Sequence, residues 1–310
     1  MGRRIWKKAM AVRRFVKALV LVTAFSAAVS ALPASATDKP AGPGQGRSPD
    51  AKAEPAVKRI SLKHVRRVVL DPGHGGDNLG ALGSAGIREK ELCLDVARRA
   101  AAWLSARSDV EVLLTRERDV AVELRQRPRL ANDWRADALI SIHANAHEAG
   151  EASGMEVFFL AADASAEAAR ALVEREEGIR VADATGGLAW SVGGILSDME
   201  LAAQHQRSER LALALGEALK TVRPAARFRG VRQAPFGVLK EARMAAVVLE
   251  IGYVTHPEEA PQLTDPAVQD QFGRAMLKAL VALDSQMAAQ AQAQAQRPPP
   301  AKAKRPARGQ

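Results

Sequence analysis

Six histidines occur among the 310 residues of this chain, and two of them stand where apolar runs stop. Arg67-Val-Val-Leu70 leads into Asp71-Pro-Gly-His74-Gly-Gly76, and Ala138-Leu-Ile-Ser-Ile142 leads into His143-Ala-Asn145. A third run, Met244-Ala-Ala-Val-Val-Leu249, ends in Glu250-Ile-Gly252. An ionisable side chain at the end of a buried strand is costly unless something partners it. A metal ion is such a partner. Gly86-Ile-Arg-Glu89-Lys90 supplies a carboxylate at the start of a long helical pattern that packs back beside His74. His74, Glu89 and His143 then make a set of two imidazoles and one carboxylate. That set suits a catalytic zinc with its fourth position left for water. The glycines around His74 allow close backbone approach.

Alternating elements must position these residues. Strands are expected at Arg67–Leu70, Val110–Thr115, Ala138–Ile142, Met155–Leu160 and Met244–Leu249. Helices are expected at Glu89–Arg107, Leu124–Trp134, Ala164–Arg180, Leu196–Val222 and Pro266–Met287. In the first helix Leu92, Cys93, Val96, Ala97, Ala100, Trp103 and Leu104 recur at helical spacing. The alternation predicts an α/β fold with a mainly parallel central sheet sandwiched by helices, in a single catalytic domain over 67–286. In such sheets sites form at the carboxyl ends of the strands.

The flanks carry the charge. The chain is +10 overall, yet residues 1–36 hold seven basic side chains and no acid, and 295–310 hold five and none. The 68–294 stretch is net acidic. The basic start, the apolar run 18–32 and Ala34-Ser-Ala36 read as a secretory signal, with the mature chain beginning at Thr37. Two Arg-Arg pairs leave both general and twin-arginine export open. Export to the periplasm or cell envelope is expected, with no membrane span after cleavage. Residues 37–66 read as a flexible linker, and 287–310 as an Ala/Gln stretch able to prolong the last helix, followed by a basic, Pro-rich tail expected to be disordered after Pro298. A nucleic-acid partner is excluded: the charge belongs to the ends, and aromatic residues make up only 4% of the chain. One cysteine excludes an internal disulfide framework.

In order, the motifs are Val68-Val-Leu-Asp-Pro-Gly-His-Gly-Gly76, Gly86-Ile-Arg-Glu-Lys90, Leu114-Thr-Arg116, Leu124-Arg-Gln-Arg127, Ser141-Ile-His-Ala-Asn145, Gly237-Val-Leu-Lys240 and Leu249-Glu-Ile-Gly-Tyr-Val-Thr-His-Pro-Glu-Glu259. This set resembles the zinc-dependent N-acetylmuramoyl-L-alanine amidases of the type-3 amidase family over residues 66–285. The resemblance implies zinc held by His74, Glu89 and His143, and Glu250 as the catalytic glutamate. It implies hydrolysis of the amide between N-acetylmuramic acid and the L-alanine of the stem peptide, in cell-wall remodelling or daughter-cell separation. Peptidoglycan is the implied partner, and the protein is expected to be a monomer. His256 and Tyr253 depart from the family's usual Asn and Phe. His256 is a candidate extra ligand, against a plain packing role.

In division amidases of this family an inserted helix can block the zinc with an acid, until an activator protein displaces it. Residues 174–200 occupy the equivalent region, and Glu176, Glu177 and Glu200 are its candidate acids. Asn145 is a candidate for substrate contact or ligand orientation, against a strand-end cap. Asp71 is a candidate partner of a ligand, against a loop-holding role. Arg116 and Arg127 are expected to pair with acids. His64, His147 and His205 are expected in solvent, and Cys93 in the core. Two rivals share the motifs: a zinc peptidase cutting within the stem, separable by product analysis, and an inactive peptidoglycan-binding protein, which the retained His74, Glu89, His143 and Glu250 argue against.

Overall fold

A computed structural model of the chain describes residues 58–160, 167–177 and 195–296. The signal, most of the linker, residues 178–194 and the basic tail lie outside them, so the expectations placed there have no structural counterpart. Six strands form one sheet: β1 (Arg67–Pro72), β2 (Glu111–Leu114), β3 (Ala138–Asn145), β4 (Met155–Leu160), β5 (Phe228–Ala234) and β6 (Ala245–Tyr253). Their order is β2-β1-β3-β6-β4-β5. All neighbours are parallel except β4 and β6.

Side chains on the strands alternate between two apolar layers, as the pleat requires. Val68, Leu70, Ile140, Ile142, Val247 and Leu249 face one; Val69, Leu139, Phe158, Ala246 and Val248 face the other. The first layer is closed by α1 (Glu89–Arg107), α4 (Ile195–Val222) and α7 (Pro266–Ala295). The second lies under α2 (Gln126–Asp133), α3 (Glu167–Glu177) and the short α5 (Gly237–Lys240). A further short helix, α6 (Glu259–Leu263), follows β6. α1 buries Leu92, Cys93, Val96, Ala97, Ala100 and Leu104, the stripe its spacing predicts. α7 starts where Asp265 accepts the N–H of Ala267 at 2.8 Å and Pro266 takes the first turn.

Two parts of the fold differ from expectation, while the last helix is prolonged through the Ala/Gln stretch, as its composition allows. Residues 58–66 are packed rather than free: Leu62 and Val65 are buried, and Asp284 Oδ1 accepts the N–H groups of Lys63, His64 and Val65 at 2.9, 2.5 and 2.9 Å. Two apolar residues and a buried carboxylate on α7 outweigh the polar composition that suggested a linker. β5 has no apolar run because it is an edge strand, paired only with β4. α7 runs to Ala295, since the Ala/Gln stretch is good helix-forming sequence and meets no proline before 298. Among the described residues no helix is long and apolar enough to cross a membrane.

Candidate metal centre

The strand parity continues past the apolar runs. Asp71 has the parity of Val69, Ser141 and His143 that of Leu139, and Glu250 that of Val248, so all four project from the face carrying α2, α3 and α5. His74 follows the end of β1 with φ of 57°, and Gly75 and Gly76 continue the positive-φ turn. Gly73 lets the next strand's histidine approach: a Cβ there would lie 2.5 Å from His143 Cε1. Glu89, the first residue of α1, reaches the same point.

Here His74, Glu89, His143 and Glu176 come together, with one donor atom from each all within 4.8 Å of one another, and all four buried. His74 Nε2 lies 2.9 Å from Glu89 Oε1, yet it has no hydrogen-bond partner. His143 Nδ1 is 3.1 Å from Glu89 Oε1 and 3.3 Å from Glu176 Oε2. Donor atoms converging on one point, with a buried imidazole nitrogen left unpartnered, are what a bound cation requires, and imidazole with carboxylate suits a divalent transition metal. This group fits a metal ion.

Neighbouring groups orient the ligands. Asn78 Oδ1 accepts the N–H of Gly80 at 3.0 Å, which identifies that atom as oxygen. It lies 3.1 Å from His74 Nδ1, so that nitrogen carries the proton and Nε2 presents its lone pair to the centre. Glu89 accepts the N–H groups of Ala144 at 3.0 Å and Ala81 at 2.8 Å. Burial opposes the Glu89 charge, but the two histidines hold its carboxyl well below the usual range. Burial likewise opposes charge on His143 and His74, and Glu176 and Glu89 raise both.

Glu250 stands beside this group and outside it. It is fully buried, and neither of its oxygens has a partner among the described residues. Burial first, then the Glu176 charge, pushes its carboxyl well above the ordinary value. A cavity of about 290 Å³ opens beside the cluster, lined by His74, His143, Glu176, Leu124, Phe236 and Val238.

Of the three acids singled out in 174–200, Glu176 reaches the centre. Glu177 does not: its Oε1 accepts the N–H of Val238 at 3.1 Å. Glu200 lines a separate groove with Arg129, Gln204 and Arg207. Asp71 accepts from Thr115, Ser141 and Arg127 at 2.5, 2.6 and 2.7 Å. Asn145 is buried; its Oδ1 accepts from Arg175 and from the Ala146 N–H, a strand-end arrangement. Arg127 pairs with Asp71, whereas Arg116 departs from expectation and is aimed at backbone carbonyls instead of an acid. His256 stands away from the cluster, and its Nδ1 accepts the N–H groups of Glu258 and Glu259 at the start of α6. His205 packs against Phe159 with ring centroids 5.2 Å apart. Asn78 was not foreseen, because nothing in a polar loop marks one asparagine as the partner of a histidine.

A mainly parallel sheet thus carries, towards the carboxyl ends of its central strands, a buried His/Glu group that could hold a metal ion. The family model described as N-acetylmuramoyl-L-alanine amidase matches residues 68–282. The amidase AmiA of Escherichia coli K12 is 31% identical over 234 residues, which are 74% of this chain and 79% of that protein. The amidase AmiC of Escherichia coli O6:H1 is 28% identical over 76% of this chain and 56% of its own length. Among solved structures, the amidase AmiC2 of Nostoc punctiforme is 27% identical at a TM-score of 0.53, covering 70% of this chain and 95% of that one. The amidase of Clostridium difficile 630 is 26% identical at 0.53, covering 71% and 97%. The chain belongs to the N-acetylmuramoyl-L-alanine amidase family: it is a peptidoglycan amidase.

Proposed function

We propose that the chain hydrolyses the amide between N-acetylmuramic acid and the L-alanine of the stem peptide with zinc held by His74, Glu89 and His143. The observation that carries this is the buried convergence of those donor atoms beside a fourth, unpartnered acid at the strand ends. Held by His74, Glu89 and His143, a zinc ion would supply Lewis-acid polarisation of the amide carbonyl and activation of a water near neutral pH. Glu250 takes the proton of the attacking water and returns it to the leaving amine; it lies beside the ligand group with neither oxygen partnered among the described residues. Asn78 keeps His74 in the tautomer that leaves Nε2 free.

In this reading the conformation with Glu176 at the centre is a closed one. Glu176 Oε2 stands 3.3 Å from His143 Nδ1 and 3.5 Å from His74 Nε2, so its carboxylate fills space that a substrate would need to reach these side chains. Arg175 and Glu177 fasten the same helix end, the former to Ala146 O at 2.8 Å and the latter to Val238 N. Opening requires α3 to move, which is work for an activator protein in cell-wall remodelling outside the cytoplasm.

The test is mass spectrometry of muropeptides after digestion of purified sacculi. Stem peptides freed from glycan, and their loss on chelation with recovery on added zinc, are expected. Cleavage within the stem would favour a peptidase, and chelator-resistant cleavage would remove the zinc.

A further inference from the structure

We propose that Arg127 is a positioning residue of the metal centre, fixing the backbone from which His74 presents its ring. The inference rests on the zinc reading above.

The loop after β1 needs holding. His74 sits at a φ of 57°, a conformation that L-residues with a side chain keep only when their surroundings enforce it. In this turn the carbonyls of Pro72, Gly73 and His74 are bound by guanidinium groups. Arg127 NH1 donates to Pro72 O at 2.8 Å and Arg127 NH2 to His74 O at 2.9 Å. Arg116 covers Pro72 O at 3.0 Å and Gly73 O at 2.6 Å. Of the two, Arg127 alone reaches the carbonyl of the ligand residue itself.

The remaining contacts define the role. Arg127 also donates to Asp71 Oδ1 at 2.7 Å, and through Nε and NH2 to Val122 O at 3.2 and 3.1 Å. A guanidinium has five N–H donors, and these five contacts use them all. Arg127 borders the cavity beside His143 and Glu176, yet it has no donor left for a substrate. It acts through His74. Asp71, itself held by Ser141 and Thr115, supplies the negative charge that lets a buried cation stand so near the metal position. A lysine offers one ammonium with three donors in place of a planar fork and cannot serve these four separated acceptors.

The full chain is stripped of metal and titrated with zinc against a chromophoric chelator, and the visible spectrum of the cobalt-loaded protein is recorded, for wild type, Arg127→Lys and Arg127→Gln. Loss of groups that orient metal ligands costs about 10–100-fold in metal affinity. A rise in zinc Kd of that size is expected for Arg127→Gln, a smaller one for Arg127→Lys, with displaced cobalt bands in both. Arg129→Ala, an exposed residue of the same helix paired with Glu241, should match wild type. Zinc affinity within twofold of wild type and unchanged cobalt bands in either folded variant would overturn the proposal. Should Arg127→Gln fail to fold, Arg127→Lys decides; failure of both to fold would make the arginine scaffold alone and overturn it too. Wild type that binds no zinc would instead sink the metal reading itself, a result visible without any variant.

Discussion

Glu156 and Glu250 are register partners across the antiparallel pair β4 and β6, so their side chains leave the same face of the sheet side by side. Both are buried. Glu156 is neutralised by Arg229 at 3.0 Å, with Arg232 at 3.5 Å. Glu250 has no such partner among the described residues. One acid is therefore paired, and the other, the proposed catalytic glutamate, is not.

This difference predicts opposite results from the same substitution. Glu250→Gln should lower amidase turnover by about 10²–10⁴-fold, the usual worth of general acid–base catalysis. It should also raise the melting temperature of the metal-free chain at pH 7. A carboxyl whose folded pKa exceeds its ordinary 4.5 opposes folding once the pH rises past that value. The gain should therefore close as the pH falls below about 4.5. Glu156→Gln should lower stability by about 1–2 kcal/mol, a partly exposed ion pair's share of the buried-pair penalty. Glu250→Gln melting at or below wild type at neutral pH would contradict the assignment.

Glu176→Ala should raise the basal activity of the full chain on purified sacculi. Each 1.4 kcal/mol removed from the closed conformation is a tenfold shift in the equilibrium, so a rise of about tenfold or more is expected. Unchanged or lower activity in a variant with native circular dichroism would show that Glu176 does not block the centre.

Gly73→Ala should weaken zinc binding by a wide margin, because its Cβ would fall 2.5–2.7 Å from three atoms of the His143 ring. Calorimetric titration of the metal-free protein reads this directly. Wild-type affinity would mean that β1 and β3 can separate without cost to the site.

Asp71 predicts an acid limb of stability. Burial raises its pKa, but Arg127, Ser141, Thr115 and His143 together hold it below the ordinary 3.8. A carboxyl with a depressed folded pKa stabilises the protein above its ordinary value, and that contribution fades as the pH falls through the folded one. Asp71→Asn should thus be less stable at neutral pH and lose less on acidification below about pH 4. Thermal melts of the metal-free protein from pH 7 to 2.5 check this; an acid slope equal to wild type would exclude Asp71 as a source of it.

The strand-end residues His74, His143 and Glu250 were legible because three apolar runs stop at ionisable side chains, which is dear unless functional. Glu89 was legible from its place at the head of α1. The choice among Glu176, Glu177 and Glu200 was not made from the sequence, although a signal existed. Leu172 and Val173 are buried on α3, and Glu176 follows them at four and three residues, on the same face. β5 escaped notice because an edge strand needs no continuous apolar run. The clamp on the β1 loop escaped because arginines bound to carbonyls leave no partner in the sequence to look for.

The carboxylate of Asp284 has a consequence for how this unit can be built into larger proteins. It gathers the N–H groups of residues 63–65, just before β1, from a position about two-thirds of the way along the last helix. The segment that enters β1 is thus tied to the last helix at one spot, at the opposite end of β1 from His74. A segment tied off in this way is a cassette. It can be spliced between other modules, or opened elsewhere and rejoined here, with little disturbance to the centre at the far end.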